Sequence, residues 1–290
     1  MTNPKATIRV AVDATNPGQF FACCGLLELA DRLWPGAEGW FENGEFCVAC
    51  DGGSLSSLFH AIVQCRLANT MTAEQHERIR QIALMISADR KKHDEESKAL
   101  SKLMREAPIV LHAPFGITLD WFVDDVAGGS RFKTWAGQQS VFGISDAMKS
   151  ALNGQTWRTE QCLTFAVSEI GLPFNFDADL GGQGGALDVG FSIDSLAGNA
   201  ATRIESTARP ALELLAFVGL QRFRPTEIKG ENRFLFTAWN RPMPIQVAMP
   251  AACGTLPMNS APRYEFRLLY RTKYLKSFLP AIPFTGGSDE

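Results

Sequence analysis

Long apolar runs, enzyme fingerprints, internal repeats and low-complexity linkers are all missing from this chain. In 290 residues no stretch approaches the roughly 18–20 consecutive apolar residues that a membrane helix needs. The opening Met1-Thr2-Asn3-Pro4-Lys5 lacks the basic-then-apolar layout of a secretory signal. No H-E-x-x-H, phosphate-binding loop, nucleophile elbow or G-x-G-x-x-G behind a strand occurs, so the common enzyme signatures are absent. Charged residues are 20% of the chain against 46% hydrophobic, a balance that excludes disordered, collagen-like and coiled-coil classes. Seven cysteines are an odd number without a secretion signal and read as reduced thiols, not a disulfide framework. The expectation is a cytoplasmic protein with no membrane contact, no cofactor and no metal.

What the sequence does hold is an uneven charge. The net charge is −3, but residues 201–280 carry twelve Lys/Arg against five acids, a surplus of seven, so the remainder carries −10. A basic third in an acidic protein suits a nucleic-acid groove, an acidic partner, or two halves that neutralise each other.

The order of elements points to an α+β fold. Ile8–Val12 alternates and is β-branched, which predicts a strand, and Asn16-Pro17-Gly18 is a turn. From Gln19 to Leu33 the chain is apolar on most sides at helical spacing, stopped by Trp34-Pro35-Gly36. Glu38–Phe41 and Glu45–Ala49 flank Asn43-Gly44, the strongest short hairpin signal because a type I′ turn needs positive φ at both positions. Ser54 caps a helix running to about Leu67. The resulting β-α-β-β-α order predicts a ferredoxin-like (RRM-like) start in a single antiparallel-sheet domain spanning 1–290. Residues 69–107 predict a charged helical insertion in it: a helix over Thr72–Ala88, then mixed charges at spacings of three and four over Asp89–Arg105. Strand character returns over Pro108–Phe122, broken by Pro114, and helices are expected at Ser145–Leu152 and Arg209–Leu220. Phe234–Trp239, Ile245–Met249 and Tyr264–Tyr270 read as antiparallel strands.

Few residues suggest chemistry. Cys47-Val48-Ala49-Cys50 has C-x-x-C spacing but lies at a strand end, not at the helix N-terminus that lowers a thiol pKa, and Cys23-Cys24 is a poor second pair for zinc. His112, in an apolar strand, is a candidate general base with no nucleophile near it in sequence. Asp179 to Gly185 is a glycine cluster without the Lys-Ser/Thr of a phosphate loop. The strongest constellation is Ser130–Gln139: Arg131 and Lys133 to neutralise phosphates, Phe132 and Trp135 to stack on bases, Gln138 and Gln139 to hydrogen-bond base edges. Burial of Trp135 is the alternative. Arg222-Phe223-Arg224 and Tyr270-Arg271-Thr272-Lys273-Tyr274 repeat the interleaving, so Arg222, Arg224, Arg271 and Lys273 are candidate phosphate contacts.

Val12 to Ala30, with Asn16-Pro17-Gly18-Gln19-Phe20-Phe21-Ala22-Cys23-Cys24-Gly25 at its centre, resembles the N-terminal signature of a CRISPR-associated family. That family is the Csb-type, large-subunit-like protein of subtype I-G (formerly I-U) systems. Lys133–Gln139 and Pro210–Pro225 are similar to the same family. The resemblance implies a non-catalytic subunit of an RNA-guided surveillance complex of the Cascade kind. Its implied partners are CRISPR guide RNA, target DNA, the other Cascade subunits and the helicase-nuclease that such complexes recruit. It supplies no catalytic residues. Two rivals stand beside it: a metal-independent guide-RNA endonuclease with His112 as base, and a protein-only bridge acting through residues 69–107.

Overall fold

The structure, a computed structural model, describes residues 4–123, 130–135, 139–154, 157, 159–168, 173–181, 207–229, 231–258, 260–270 and 276–285. Strand β1 (Ile8–Ala11) leads into helix α1 (Pro17–Leu33), whose N-cap Asn16 accepts a hydrogen bond from the Gln19 amide, with Pro17 pre-set for the first turn. Strands β2 (Glu38–Glu42) and β3 (Glu45–Ala49) form the hairpin that Asn43-Gly44 predicts, with φ of 52° and 77° at those two residues. β3 lies between β2 and β1, antiparallel to both, with Trp40 opposite Cys47 and Ile8 opposite Val48. Ser54 caps α2 (Leu55–Gln64) as expected.

Beyond α2 the single sheet expected from the sequence does not continue. β4 (Leu67–Asn69) pairs with β5 (Ile109–Leu111), which pairs with β6 (Ile117–Leu119), in a sheet of their own. The free edge of β2 is taken by β11 (Met243–Pro244). β12 (Arg263–Tyr270) and β10 (Arg233–Thr237) centre a third sheet, flanked by β9 (Thr226–Ile228), β13 (Lys276–Phe278) and β14 (Ile282–Pro283). β7 (Val167–Ser168) and β8 (Thr207–Ala208) pair separately. The single sheet expected from the sequence is therefore four small antiparallel ones among the described residues.

The reason lies in two helices that are apolar all round and so need cover on every side. Residues 17–30 of α1 are all buried, as are all ten residues of α8 (Pro210–Gly219). One sheet covers one face of a helix, whereas α1 meets two: Phe20 stacks on Phe41 beside β3, and Phe21 touches Phe236 and Phe266 of the β10–β12 sheet. Against each other α1 and α8 cross backbone to backbone, where a Cβ on Gly25 would stand 1.9 Å from the Leu215 carbonyl oxygen and one on Gly219 would stand 2.1 Å from that of Phe21.

The stretch Ile245–Met249 is a second correction. It belongs to helix α9 (Ile245–Ala252), which buries Ile245, Ala248, Ala251 and Ala252 at helical spacing and leaves Val247 outside. Its Ile-Gln-Val-Ala-Met lettering mimics strand alternation, but the small alanines that follow fix the 3.6 period.

The charged insertion comprises α3 (Ala73–Leu84), α4 (Ser87–Lys92) and α5 (Asp94–Glu106). Thr72 and Gln75 form a complete capping box. A bidentate pair from Arg78 to Glu96, at 2.6 and 2.8 Å, ties α3 to α5, and within the three helices only Ile82 is buried. Its two ends meet: Asn69 pairs with Ile109, and the Thr70 amide bonds the Pro108 carbonyl at 3.0 Å. Helix α6 (Val141–Ala151) follows, starting four residues before the expected Ser145 because Ser140 caps it. In the expected glycine cluster, Asp179 to Gly181 fall in the short helix α7 (Ala178–Gly181), while Gly182, Gly184 and Gly185 lie outside the described residues. No helix among the described residues is long and apolar enough to cross a membrane.

Candidate nucleic-acid interface

The loop that the sequence marks most strongly turns inward. Trp135 is 1% exposed and packs edge-on against Trp121, Phe122 and Phe174 with centroids 5.1–6.0 Å away. No ring face is left for a base. Lys133 lies 3.2 Å from Glu106 at the end of α5 and 5.8 Å over the Trp135 ring, with its side chain 11% exposed. Phe132 packs on Phe234, and the Thr134 hydroxyl donates to the Phe174 carbonyl. Arg131 is exposed and pairs with Glu227 of β9. Gln139 is half-buried beside the α6 cap, while Gln138, Arg271 and Lys273 lie outside the described residues. For Trp135 the burial alternative is the structural outcome, and Lys133 is turned to Glu106: the aromatic residues around Trp135 form the far wall of the core against Phe217 of α8. The signal was available in the apolar Trp121-Phe122 and Phe174 segments, which need something to pack on.

Arg222 and Arg224 behave differently. Between them Phe223 is buried and stacks on Trp239 at 6.0 Å, so both arginines point outward. The preceding Gln221 is clamped, its carbonyl oxygen accepting from the Asp120 and Trp121 amides and its NH2 donating to Asp120 at 2.9 Å. Arg222 Nε then lies 2.9 Å from Glu28, a carboxylate on α1 with its side chain 2% exposed. Arg32, one turn further along α1, is 2.9 Å from the other Glu28 oxygen. A buried carboxylate is tolerable only when paired, and Glu28 is held by two guanidinium groups.

From Arg32 the contacts run on. Its Nη1 donates to the carbonyls of Phe115 and Gly116 at 3.3 and 3.4 Å. That turn closes on His112, whose carbonyl accepts from both amides. His112 Nε2 in turn stands 2.9 Å from Arg66 Nη2. An arginine can only donate, so in this contact Nε2 is the acceptor. The contacts run from Arg222 to Glu28 to Arg32, then through the Phe115–Gly116 turn to His112 and Arg66, and three guanidinium groups outnumber one buried carboxylate. Arg224 adds a further exposed cation, with no ion pair among the described residues, and Asp120 is the acid at this edge. Arg32 and Arg66 are isolated in sequence; the local clue to them is the Glu28/Arg32 pair at i, i+4 in an otherwise apolar helix.

A second polar group centres on the buried Asn16, Asp177 and Glu213, with the half-buried Arg209 at its edge. Asp177 accepts from Asn16 at 2.8 Å and pairs with Arg209 at 3.2 Å, and Glu213 accepts the amides of Phe176 and Asp177 at 3.3 and 3.2 Å. Burial, reinforced by the charge of Asp177, pushes the Glu213 carboxyl up to about 8, and burial also raises Asp177. These groups tie the N-termini of α1 and α8 to residues 175–178. Among the thiols, Cys47 lies buried inside β3 and is pushed up to about 11 by burial, the opposite of an activated C-x-x-C cysteine. No group of three or more His, Cys, Asp or Glu side chains among the described residues could hold a metal ion.

No family model, curated protein or solved structure matches the chain.

Proposed function

We propose that this chain is a non-catalytic, nucleic-acid-binding subunit of a subtype I-G RNA-guided surveillance complex in the cytoplasm. In it, the chain contacts guide RNA or target DNA and, with the other Cascade subunits, helps recruit the helicase-nuclease. On this reading β1-α1-β2-β3-α2 supplies five of the six elements of a ferredoxin-like β-α-β-β-α-β unit, and the next strand, β4, goes into the β4–β6 sheet instead. The single observation that carries the reading is the line of arginines from Arg222 to Arg66. Guanidinium groups already held by their partners lose little entropy on meeting a phosphate, and several along one line can neutralise more than one phosphate. The support from the sequence is the resemblance over Val12–Ala30, the segment that also holds Glu28, which organises the arginines.

The test is the salt dependence of binding. Affinity of the whole protein for a single-stranded RNA is measured by fluorescence anisotropy between low and physiological salt, for wild type and for Arg66→Ala/Arg224→Ala. Neither residue is bound to a carboxylate, so the fold is not at stake. Loss of two phosphate contacts lowers the log–log slope by about 1.4, at about 0.7 per contact with a single strand. An unchanged slope refutes the assignment. Lys133→Ala serves as the internal comparison and leaves the slope unaltered, since Lys133 already faces Glu106.

A further inference from the structure

The outer end of the helical insertion carries a feature that neither folding nor the arginine line uses. Leu84 is 86% exposed and Ile86 is 69% exposed, the two most exposed large apolar side chains among the described residues. Leu84 ends α3, and Ile86 stands two residues on in the extended link, Met85 and Ile86, that joins α3 to α4. Ile86 also occupies the N-cap of α4 with no side-chain hydrogen bond. Isoleucine is among the worst N-cap residues, and a serine, such as the one at the next position, is among the best. The chain therefore gives up helix stability at a site where the apolar side chain gains no burial.

Charge accompanies the apolar pair. Arg90 Nε donates to the Met85 carbonyl at 2.7 Å, which sets its guanidinium beside the link. Lys91 follows, exposed and with no ion pair among the described residues, while Lys92 is offset by Asp89 at 3.3 Å. Two bare aliphatic side chains next to two cations match an apolar groove with a carboxylate rim. They do not match a nucleic acid, whose backbone offers no apolar surface and whose bases call for aromatic platforms. We propose that Leu84, Ile86, Arg90 and Lys91 form a docking tip that inserts into an apolar groove rimmed by carboxylates on another protein. The proposal does not rest on the nucleic-acid reading.

A photoreactive amino acid placed at 84 or 86 of the full-length protein in its own cells, with position 74 at the base of the insertion as control, tests it. The expected adduct joins the tip, and not position 74, to one other protein, through a peptide that carries apolar residues flanked by at least two carboxylates. Arg90→Glu/Lys91→Glu abolishes that adduct. L84S/I86S weakens retention of the same protein by roughly thirtyfold, as loss of a central apolar anchor implies. Its melting temperature is unchanged or raised and its RNA binding intact, whereas Arg66→Ala/Arg224→Ala keeps the protein partner. Adducts only with nucleic acid, only with a second copy of this chain, or with nothing overturn the proposal. So does an L84S/I86S protein that retains the crosslinked partner at wild-type level.

Discussion

Replacing Gly25 with alanine places a methyl group 1.9 Å from the Leu215 carbonyl oxygen, where ordinary contact begins at 3.4 Å. The obstacle is backbone, with no rotamer to turn aside, so α1 and α8 must part locally by roughly 1.5 Å. On the far side of α8, Phe217 is stacked on Phe174 with centroids 4.5 Å apart, so α8 has no slack to retreat into. Adding a methylene to a packed core costs about 1–3 kcal/mol. Backbone against backbone in a fully buried crossing belongs above that range, at about 3–5 kcal/mol, a large share of the roughly 5–15 kcal/mol that holds a domain folded. At about 2–4 °C per kcal/mol, the melting temperature falls by roughly 6–20 °C. Thermal and urea unfolding of Gly25→Ala, Gly219→Ala and the double variant measure this. Both methyl groups ask for the same separation, so the double variant loses less than the sum of the two. Gly143→Ala is the control: in α6 its Cβ meets only Ser140, at 3.6 Å, so it gains about 0.5–1 kcal/mol from helix propensity. A Gly25→Ala melting temperature within about 2 °C of wild type refutes the close crossing.

Two further outcomes are expected. Glu213 holds its proton up to about 8 in the folded protein against 4.5 ordinarily, so the folded state binds more protons and stability falls as pH rises from about 4.5 through about 8. Asp177, raised by burial, acts in the same direction. Urea midpoints measured at intervals between pH 5 and pH 8.5 therefore decline in wild type, and the decline is shallower in Glu213→Gln; equal slopes in both proteins exclude Glu213 as the source. Deleting residues 72–104 and closing β4 onto β5 with a short turn leaves the body folded, because the two strands already pair and only Ile82 is withdrawn from burial in α3; loss of cooperative unfolding contradicts that.

The elements that were legible in the sequence are those set by local chemistry. Asn43-Gly44, the Ser54 and Thr72 caps and the Trp34-Pro35-Gly36 stop all act within a few residues, and each marks its boundary in the structure. Sheet partners were not legible. Nothing near β4 says that its mate lies some forty residues on, beyond three helices, and nothing near β2 points to Met243. The candidate site divides along the same line. Arg222 and Arg224 show themselves because one buried phenylalanine between them sets their direction. Arg32 and Arg66 gain meaning only when α1, α2 and the His112–Gly116 turn come together. In Lys133-Thr134-Trp135 the residue types suit both a binding loop and a core wall, and long-range packing on Phe174 and Phe217 decides between them.

The crossing at Gly25 and Gly219 joins segments that leave the ribosome nearly two hundred residues apart. Helix α1, buried over its first fourteen residues in the finished protein, is synthesised early and can acquire local cover from the β2–β3 hairpin. Its other flank has no mate until α8 and then the β10–β12 sheet are made. At about 5–20 residues per second that interval lasts on the order of 10–40 s, during which the flank of α1 that carries Phe21 and Gly25 lacks its final cover. Biosynthetic yield of this chain is thus tied to its last third, and a truncation there exposes the oldest part of the core.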